Sequence, residues 1–126
     1  MRVGIDLVSV QSVREALAAH GERYLKRVYS EREIRDCTTS QGLDPERLAA
    51  RFAAKEAALK ALRPGPNGVM FSSIEVCRDP AGWVELELSG AAAELARDAG
   101  VTELALSIAH ENGFACAVVI AHRQSF

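Results

Sequence analysis

The sequence predicts an α+β fold: a compact single domain in which a mainly antiparallel sheet packs against a long central helix. Three observations predict this class. Apolar and polar residues alternate near both ends of the chain, an alanine-rich helical pattern occupies the middle, and Asn112-Gly113 is a strong hairpin signal. The 126 residues correspond to one domain, and 48% hydrophobic with 25% charged residues is typical of an ordinary soluble protein.

The overall charge argues against nucleic acid as a partner. The net charge is −2 and the pI is about 5.9, whereas nucleic-acid-binding domains usually have a clearly basic surface. Cys37, Cys77 and Cys116 are odd in number, and their spacing fits neither a disulfide framework nor a zinc site. No apolar run is long enough for a signal peptide or a membrane span. We therefore expect a cytoplasmic protein with no nucleic-acid partner and no membrane contact.

The first strand is predicted by the alternation of Val3, Ile5 and Leu7 in "RVGIDLVSV". The residues between them are also mostly apolar, which indicates a strand covered on both faces. Asp6 interrupts this pattern, because aspartate is depleted from strands. Its side chain either hydrogen-bonds the local backbone at the strand end or has a functional role, and the pattern alone favours neither.

A charged helical pattern follows from Ser12 to about Cys37. It predicts two short helices broken near Gly21, with Ser30 as a candidate N-cap and Glu33 at the capping-box position. The next segment, "TTSQGLDP", is predicted to be a loop.

The long central helix is predicted to begin after Asp44, a good N-cap followed by proline, and to end at "RPGPNG". Within its segment "RFAAKEAALK", Glu56 lies about 40° from Phe52 on the helical wheel, at the edge of an apolar stripe. A carboxylate there needs a partner, and Lys60 at i+4 is available for an ordinary helix ion pair. The stripe consists of Leu48, Phe52, Leu59 and Leu62.

The second half of the chain predicts mostly sheet. "SSIEVCRD" and "WVELEL" form one hairpin through "DPAG", and "GAAAELARDAG" is a short helix closed by Gly100. "ELALSIAH" and "FACAVVIAH" flank Asn112-Gly113, which predicts a type I′ turn. His110 and Glu111 come directly before this turn, where side chains are accessible on a rigid scaffold.

Three segments in this order, "GIDLV", "RFAAKEAALKAL" and "LSIAHENGFACAVVI", resemble the holo-acyl-carrier-protein synthase type of 4′-phosphopantetheinyl transferase. The resemblance covers nearly the whole chain, and "RFAAKEA" followed by a lysine is its most specific part. It implies one transferase domain over residues 1–126. The implied reaction transfers the 4′-phosphopantetheine arm of coenzyme A to a serine of an apo acyl carrier protein and releases 3′,5′-ADP.

The resemblance also implies roles for individual residues. Asp6 and Glu56 match the family's magnesium ligands, which suits a hard cation that binds through carboxylates, waters and substrate phosphates. Lys55 is expected to pair with an acidic group or to support the site. The residues that match the family's coenzyme A contacts are Arg51, Lys60, Ser107 and His110.

The catalytic residues implied are Glu56, Glu111 and Lys60, with the general base left open. Glu56 acting through a metal-bound water is one candidate for this base, and Glu111 is the other. Two other functions also stay open: a different magnesium-dependent enzyme acting on a nucleotide diphosphate, and a noncatalytic module in which Glu56 and Lys60 form a structural ion pair.

The resemblance further implies a homotrimer with active sites between subunits, and a basic surface for an acidic carrier protein. Ser12 stands where the family often has a carrier-contacting arginine, and Ala105 where relatives often have histidine. Both departures leave the carrier unidentified, including whether it belongs to fatty-acid or polyketide synthesis. The candidate carrier contacts are Arg14, Arg23, Lys26 and Arg27.

Overall fold

A computed structural model describes residues 1–124 of the chain. Its main sheet has three antiparallel strands, and the longest helix packs on one face of that sheet. The strands are β1 (Arg2–Ser9), β2 (Thr38–Thr39), β3 (Gly42–Leu43), β4 (Ile74–Arg78), β5 (Val84–Leu88), β6 (Val101–Glu111) and β7 (Phe114–Arg123). The helices are α1 (Val10–His20), α2 (Glu22–Val28), α3 (Glu31–Asp36), α4 (Pro45–Leu62) and α5 (Gly90–Asp98), with a 3₁₀ turn at Phe71–Ser73.

The predicted α+β class is confirmed. The main sheet has the order β1-β7-β6, and β4 and β5 form a separate two-stranded sheet. The turn between β6 and β7 is of the predicted kind, because Asn112 and Gly113 both have positive φ angles, of 51° and 81°. None of the helices found in residues 1–124 combines the length and the apolar character that crossing a membrane requires.

Helix α4 has the predicted ends. The Asp44 carboxylate accepts a hydrogen bond from the Glu46 amide at 3.0 Å, and Arg63 caps the other end in a left-handed conformation with φ of 57°. The helix lies very close to β1: a Cβ atom on Gly4 would come within 1.9 Å of the Ala57 carbonyl oxygen. This close contact brings the side chain two residues further along β1, that of Asp6, beside α4.

The first strand differs from its prediction, because only one of its faces is covered within the single chain. Val3, Ile5 and Leu7 are 65%, 57% and 66% exposed on the face away from α4. Phe114 and Ile120 of β7 are exposed large apolar residues on the same face, by their pairing with Ser9 and Val3. In the described part of the chain, the helices pack on the other side of the sheet. The apolar surface on this face therefore stays uncovered.

The helical region before α4 contains three short helices rather than two. The capping box at Ser30 is present as predicted, since its hydroxyl accepts from the Glu33 amide and the Glu33 carboxylate accepts from the Ser30 amide. The break at Gly21 is also present. The predicted loop after α3 contains the small hairpin β2–β3, which was too short to give an alternating sequence pattern.

The three cysteines are free thiols. Burial raises the pKa of Cys37 to about 11 and that of Cys77 to about 12, so both thiols are protonated at neutral pH.

Candidate active site

Asp6, Glu56 and Lys60 come together where β1 meets α4. The Lys60 ammonium donates to Asp6 Oδ1 at 3.2 Å and to the Ile5 carbonyl at 2.8 Å. Glu56 is half-buried, four residues earlier on the same helix. The three charged groups that the sequence singled out in this region therefore form one cluster, and a strand and a helix hold them in place.

The ionisation of Glu56 depends on its burial and on two neighbouring charged groups. Partial burial raises the pKa of Glu56, the neighbouring Asp6 carboxylate raises it further, and Lys60 acts in the opposite direction. The alternative interpretation, an i+4 ion pair between Glu56 and Lys60, is not formed within residues 1–124, because the lysine ammonium binds Asp6 instead. Tertiary contact with β1 has taken the place of the local helix pair.

The cluster has the donor chemistry that magnesium requires. Two carboxylates face a single ammonium group, so the cluster has an excess of negative charge at a half-buried position. Mg²⁺ commonly binds one or two carboxylates and completes its shell with waters and substrate phosphates. Asp6 and Glu56 thus suit such an ion, and the negative charge they share would be compensated by it.

A second group of possible metal ligands lies elsewhere, on the β4–β5 hairpin. The carboxylates of Glu75 and Glu87 and the thiol of Cys77 lie within 4.8 Å of one another. Arg32 bridges both carboxylates and the thiol: its Nη1 lies 3.6 Å from Glu75, 3.8 Å from Glu87 and 3.1 Å from the Cys77 sulfur, and Lys55 adds a second positive charge near Glu75. This arrangement is explained as an ion-pair network without any metal.

A pocket of about 540 Å³ opens beside the N-terminal half of α4. Arg47 and Arg51 line it from α4, Arg78 and Trp83 from the β4–β5 hairpin, and His110 from β6. Its volume lies within the range of about 300–1,000 Å³ that small-molecule sites occupy. Arginine and histidine side chains converge in it from three elements, which makes it suited to an anionic ligand.

Arg51 has the most unusual environment of these residues. Its side chain is only 3% exposed, and its Nε and Nη2 atoms have no hydrogen-bond partner. The remaining contact is a long one of 3.5 Å from Nη1 to the Arg47 carbonyl. A buried guanidinium with unsatisfied donors is costly unless a ligand completes its hydrogen bonds, and phosphate oxygens match its planar geometry.

Neighbouring charges leave Arg51 and Arg78 available to a ligand. Asp44 pairs with Arg47 at 3.5 Å, and Glu46 pairs with His110 Nδ1. Neither Arg51 nor Arg78 has an acidic partner in the described part of the chain. The pocket therefore has two guanidinium groups whose charge no carboxylate compensates.

Comparison with known proteins identifies the family. A family profile described as the 4′-phosphopantetheinyl transferase superfamily matches residues 2–119. The chain belongs to this superfamily. The resemblance found in three sequence segments is thereby confirmed.

Relatives of this phosphopantetheinyl transferase match it over nearly its whole length. The holo-[acyl-carrier-protein] synthase of Chloroflexus aurantiacus is 42% identical, over 94% of this chain and 95% of that protein. The structure of a Chronobacterium ammoniagenes ACPS–CoA complex matches with a TM-score of 0.86 and 38% identity, and covers 98% of both chains. The Helicobacter pylori holo-[acyl-carrier-protein] synthase in complex with coenzyme A matches with a TM-score of 0.80 and 30% identity, over 95% of this chain and 99% of that one.

The transferase chain does not bring all of its predicted site residues together. Glu111 pairs with Phe114 and Ser107 with Val118, positions on the exposed sheet face, whereas His110 pairs with the buried Ala115 on the face toward α4. Ser107 still lines the pocket, because β6 is an edge strand. Glu111 does not line it. Within one chain, Glu111 is thus separated by the sheet from Asp6.

Lys55 of "RFAAKEA" points away from the cluster into the core. Its ammonium lies 2.7 Å from the Glu33 carboxylate, both side chains are fully buried, and it also donates to the carbonyls of Phe71 and Ile74. Burial lowers the pKa of Lys55, and the Glu33 carboxylate opposes this change. The sequence indicated the capping role of Glu33 but not this ion pair, because the two residues lie on different helices.

The basic residues proposed for carrier binding lie apart from the pocket. Arg14 is exposed on α1, and Arg23, Lys26 and Arg27 are exposed on α2. Lys26 forms an ion pair with Glu22 at 3.8 Å, but both side chains are largely exposed, so the pair is weak and can be exchanged for another partner.

Proposed function

We propose that this phosphopantetheinyl transferase moves the 4′-phosphopantetheine arm of coenzyme A to a serine of an apo acyl carrier protein. The products are holo carrier protein and 3′,5′-ADP. The observation that carries the proposal is the buried Arg51, whose unsatisfied guanidinium lines a pocket of nucleotide size. The two relatives whose structures contain coenzyme A support this choice of ligand.

The reaction requires charge neutralisation more than covalent chemistry from the protein. The serine oxygen attacks the β-phosphorus of coenzyme A, the bond to the 3′,5′-ADP oxygen breaks, and the serine proton passes to a base. Arg51 and His110 hold the phosphates of the nucleotide half, and Lys60 provides positive charge near the diphosphate. Asp6 and Glu56 would hold a magnesium ion, which when bound would neutralise diphosphate charge.

The two candidate bases belong to different parts of the molecule. Glu56 lies in the cluster with Asp6 and Lys60, and its raised pKa suits a group that accepts a proton. Glu111 lies on the exposed sheet face and would reach an active site only across a subunit boundary. Glu56 therefore already stands beside the proposed metal ligand Asp6 in one chain, whereas Glu111 would join that cluster only through assembly. The cluster itself does not line the pocket that contains Arg51, so bringing the two together also depends on the proposed trimer.

Coenzyme A affinity tests the pocket directly. We expect Arg51→Met to weaken coenzyme A binding by about tenfold or more, because charge-assisted hydrogen bonds to phosphate are lost. Stability should stay equal or rise, since the replaced guanidinium has two unsatisfied nitrogens in the free protein. Isothermal titration calorimetry and thermal unfolding measure the two effects.

Arg35→Met is the matched control, because Arg35 is an exposed arginine on α3 outside the pocket. It should leave coenzyme A affinity unchanged. Equal affinities of the Arg51→Met variant and the wild type would contradict the assignment of the pocket.

A hydrolase acting on nucleotide diphosphates is the second candidate, since it would use the same cluster of Asp6, Glu56 and Lys60. It would consume coenzyme A without a carrier protein. A noncatalytic module is less well supported, because the Glu56–Lys60 ion pair on which it depends is replaced by the contact of Lys60 with Asp6.

We propose that the transferase is a homotrimer whose active sites lie between subunits. The exposed face of the sheet supports assembly, because Val3, Ile5 and Leu7 lie beside Phe114 and Ile120 to form a continuous apolar surface. A second pocket on this face, of about 460 Å³, includes Glu111. Association through this face would place Glu111 at a subunit boundary.

Disrupting this face should dissociate the protein. We expect Ile5→Glu to give a monomer in size-exclusion chromatography with light scattering, because a buried charge without a partner opposes association. Carrier modification should fall together with the loss of assembly. Met70→Glu changes another exposed apolar residue, which lies outside the sheet, and should leave the mass unchanged. A trimeric Ile5→Glu variant would contradict this interface.

The partner surface and the cellular setting complete the proposal. Arg14, Arg23, Lys26 and Arg27 are exposed basic residues on α1 and α2, which suits contact with an acidic carrier protein of fatty-acid or polyketide synthesis. We also propose that residues 1–126 act as one transferase domain. The three free thiols support a reducing compartment and thus a cytoplasmic location.

A further inference from the structure

Trp83 is a large exposed apolar residue that the proposed chemistry does not use. Its side chain is 75% exposed, although burying tryptophan is among the strongest sources of hydrophobic stabilisation. Val84, the next residue, packs against the core, so Trp83 precedes a strand whose first side chain points inward. Trp83 also lines the pocket that contains Arg47, Arg51 and Arg78.

The turn that carries Trp83 is held firmly by Asp79. The Asp79 carboxylate accepts hydrogen bonds from the amides of Ala81 and Trp83, both at 2.9 Å. The Asp79 amide donates to the Trp83 carbonyl at 2.9 Å, and the Gly82 amide donates to the Asp79 carbonyl at 2.9 Å. The backbone of Trp83 is therefore fixed on both its amide and its carbonyl side, which pre-organises the indole at the pocket edge.

The indole ring has no stacking partner among residues 1–124. The aromatic pairs there are Tyr24 with Tyr29 and Phe52 with Phe71, and the cation–π contact is between Lys55 and Tyr29. The ring of Trp83 is thus available for a planar group bound in the pocket.

We propose that Trp83 stacks on the adenine base of the ligand whose phosphates bind Arg51. This assignment rests on the proposed function, which places a nucleotide in the pocket. An aromatic ring beside unpaired guanidinium groups matches the two parts of a nucleotide, a planar base and an anionic phosphate. Trp83 lies outside the apolar face of β1 and β7. Association of subunits through that face therefore does not account for the exposure of Trp83.

Intrinsic fluorescence tests this contact selectively, because Trp83 is the single tryptophan of the chain. Titration of the full chain with 3′,5′-ADP should change its emission saturably, with the same Kd that calorimetry gives. Titration with 4′-phosphopantetheine, which lacks the base, should leave the emission unchanged. Unchanged emission while calorimetry shows 3′,5′-ADP binding would overturn the stacking contact.

Three substitutions separate stacking from simple apolar contact. Trp83→Ala and Trp83→Leu should each weaken 3′,5′-ADP binding by about tenfold, whereas Trp83→Phe should keep most of the affinity because it retains an aromatic ring. The KM for coenzyme A should rise with kcat nearly unchanged, since the base lies away from the reacting phosphorus. Leucine and phenylalanine variants of equal affinity would overturn the proposal.

Met70→Ala is the control, because Met70 is 73% exposed and lies outside the pocket. It should leave 3′,5′-ADP affinity unchanged. Failure of the proposed function itself gives a different result: neither 3′,5′-ADP nor coenzyme A binds in calorimetry, and no carrier protein is modified. That result would overturn the stacking contact as well.

Discussion

Replacing Glu56 with glutamine is expected to lower kcat/KM for carrier modification by at least about 100-fold. The substitution keeps the size of the side chain but removes the charge that Glu56 supplies to the cluster with Asp6 and Lys60. Circular dichroism should show an unchanged fold, and a continuous assay of 3′,5′-ADP release should show the loss.

Stability should change in the opposite direction to activity. Folding raises the pKa of Glu56, so its contribution to stability is fully present below the unfolded pKa and is lost as pH rises through the folded pKa. In EDTA at neutral pH, the Glu56→Gln variant should therefore unfold at the same temperature as the wild type or a higher one. The difference between the two unfolding temperatures should shrink as the pH falls below the pKa of Glu56 in the folded protein.

Glu94→Gln is the matched control for this comparison, because Glu94 is exposed on α5. It should change neither activity nor the melting temperature. A Glu56→Gln variant with wild-type kcat/KM would exclude Glu56 from the catalytic site, while a markedly lower melting temperature would assign it a structural role.

Breaking the buried ion pair between Lys55 and Glu33 should have the largest effect on stability. We expect Lys55→Met to lower the free energy of unfolding by about 3–5 kcal/mol, because it leaves the Glu33 carboxylate buried without its cation. Glu33 would keep hydrogen bonds from the amides of Ser30 and Val76. These satisfy oxygen lone pairs but leave the negative charge uncompensated. Urea denaturation followed by circular dichroism measures the change.

A double variant distinguishes loss of charge balance from loss of packing. Glu33→Gln combined with Lys55→Met removes both charges and should recover part of the lost stability. If the free energy of unfolding of the double variant falls by the sum of the decreases in the two single variants, the ion pair is not the source of the stability. If the Lys55→Met variant unfolds with a free energy within about 1 kcal/mol of the wild type, the ion pair does not stabilise the fold.

Local features of the fold could be predicted from the sequence because local physics determines them. Asp44 caps α4, Ser30 forms its capping box and Asn112-Gly113 makes the hairpin turn, each within a few residues. Period-two alternation also determines that His110 and Glu111, which both come directly before the turn, lie on opposite faces of β6.

Contacts between distant segments could not be predicted in the same way. Lys60 pairs with Asp6 rather than with Glu56 because β1 packs against α4, and Lys55 pairs with Glu33 because both side chains reach the same buried position from different helices. Trp83 gave no sequence signal beyond its place at a turn. Only the packing of the β4–β5 hairpin beside α4 brings it into the pocket.

The prediction that both faces of β1 are covered is not met within the single chain, for a related reason. Alternation shows which residues share a face, but not whether the second face is covered by the same chain or by another copy. The exposed Val3, Ile5 and Leu7 show that the single chain covers only one face.

Transfer of phosphopantetheine is tested most directly by the intact mass of an apo acyl carrier protein after incubation with this protein, coenzyme A and magnesium. Parallel samples contain EDTA or the Glu56→Gln variant. We expect a gain of one phosphopantetheinyl group that is absent from both parallel samples. No gain with either fatty-acid or polyketide carriers, together with no coenzyme A binding, would contradict the proposed transfer.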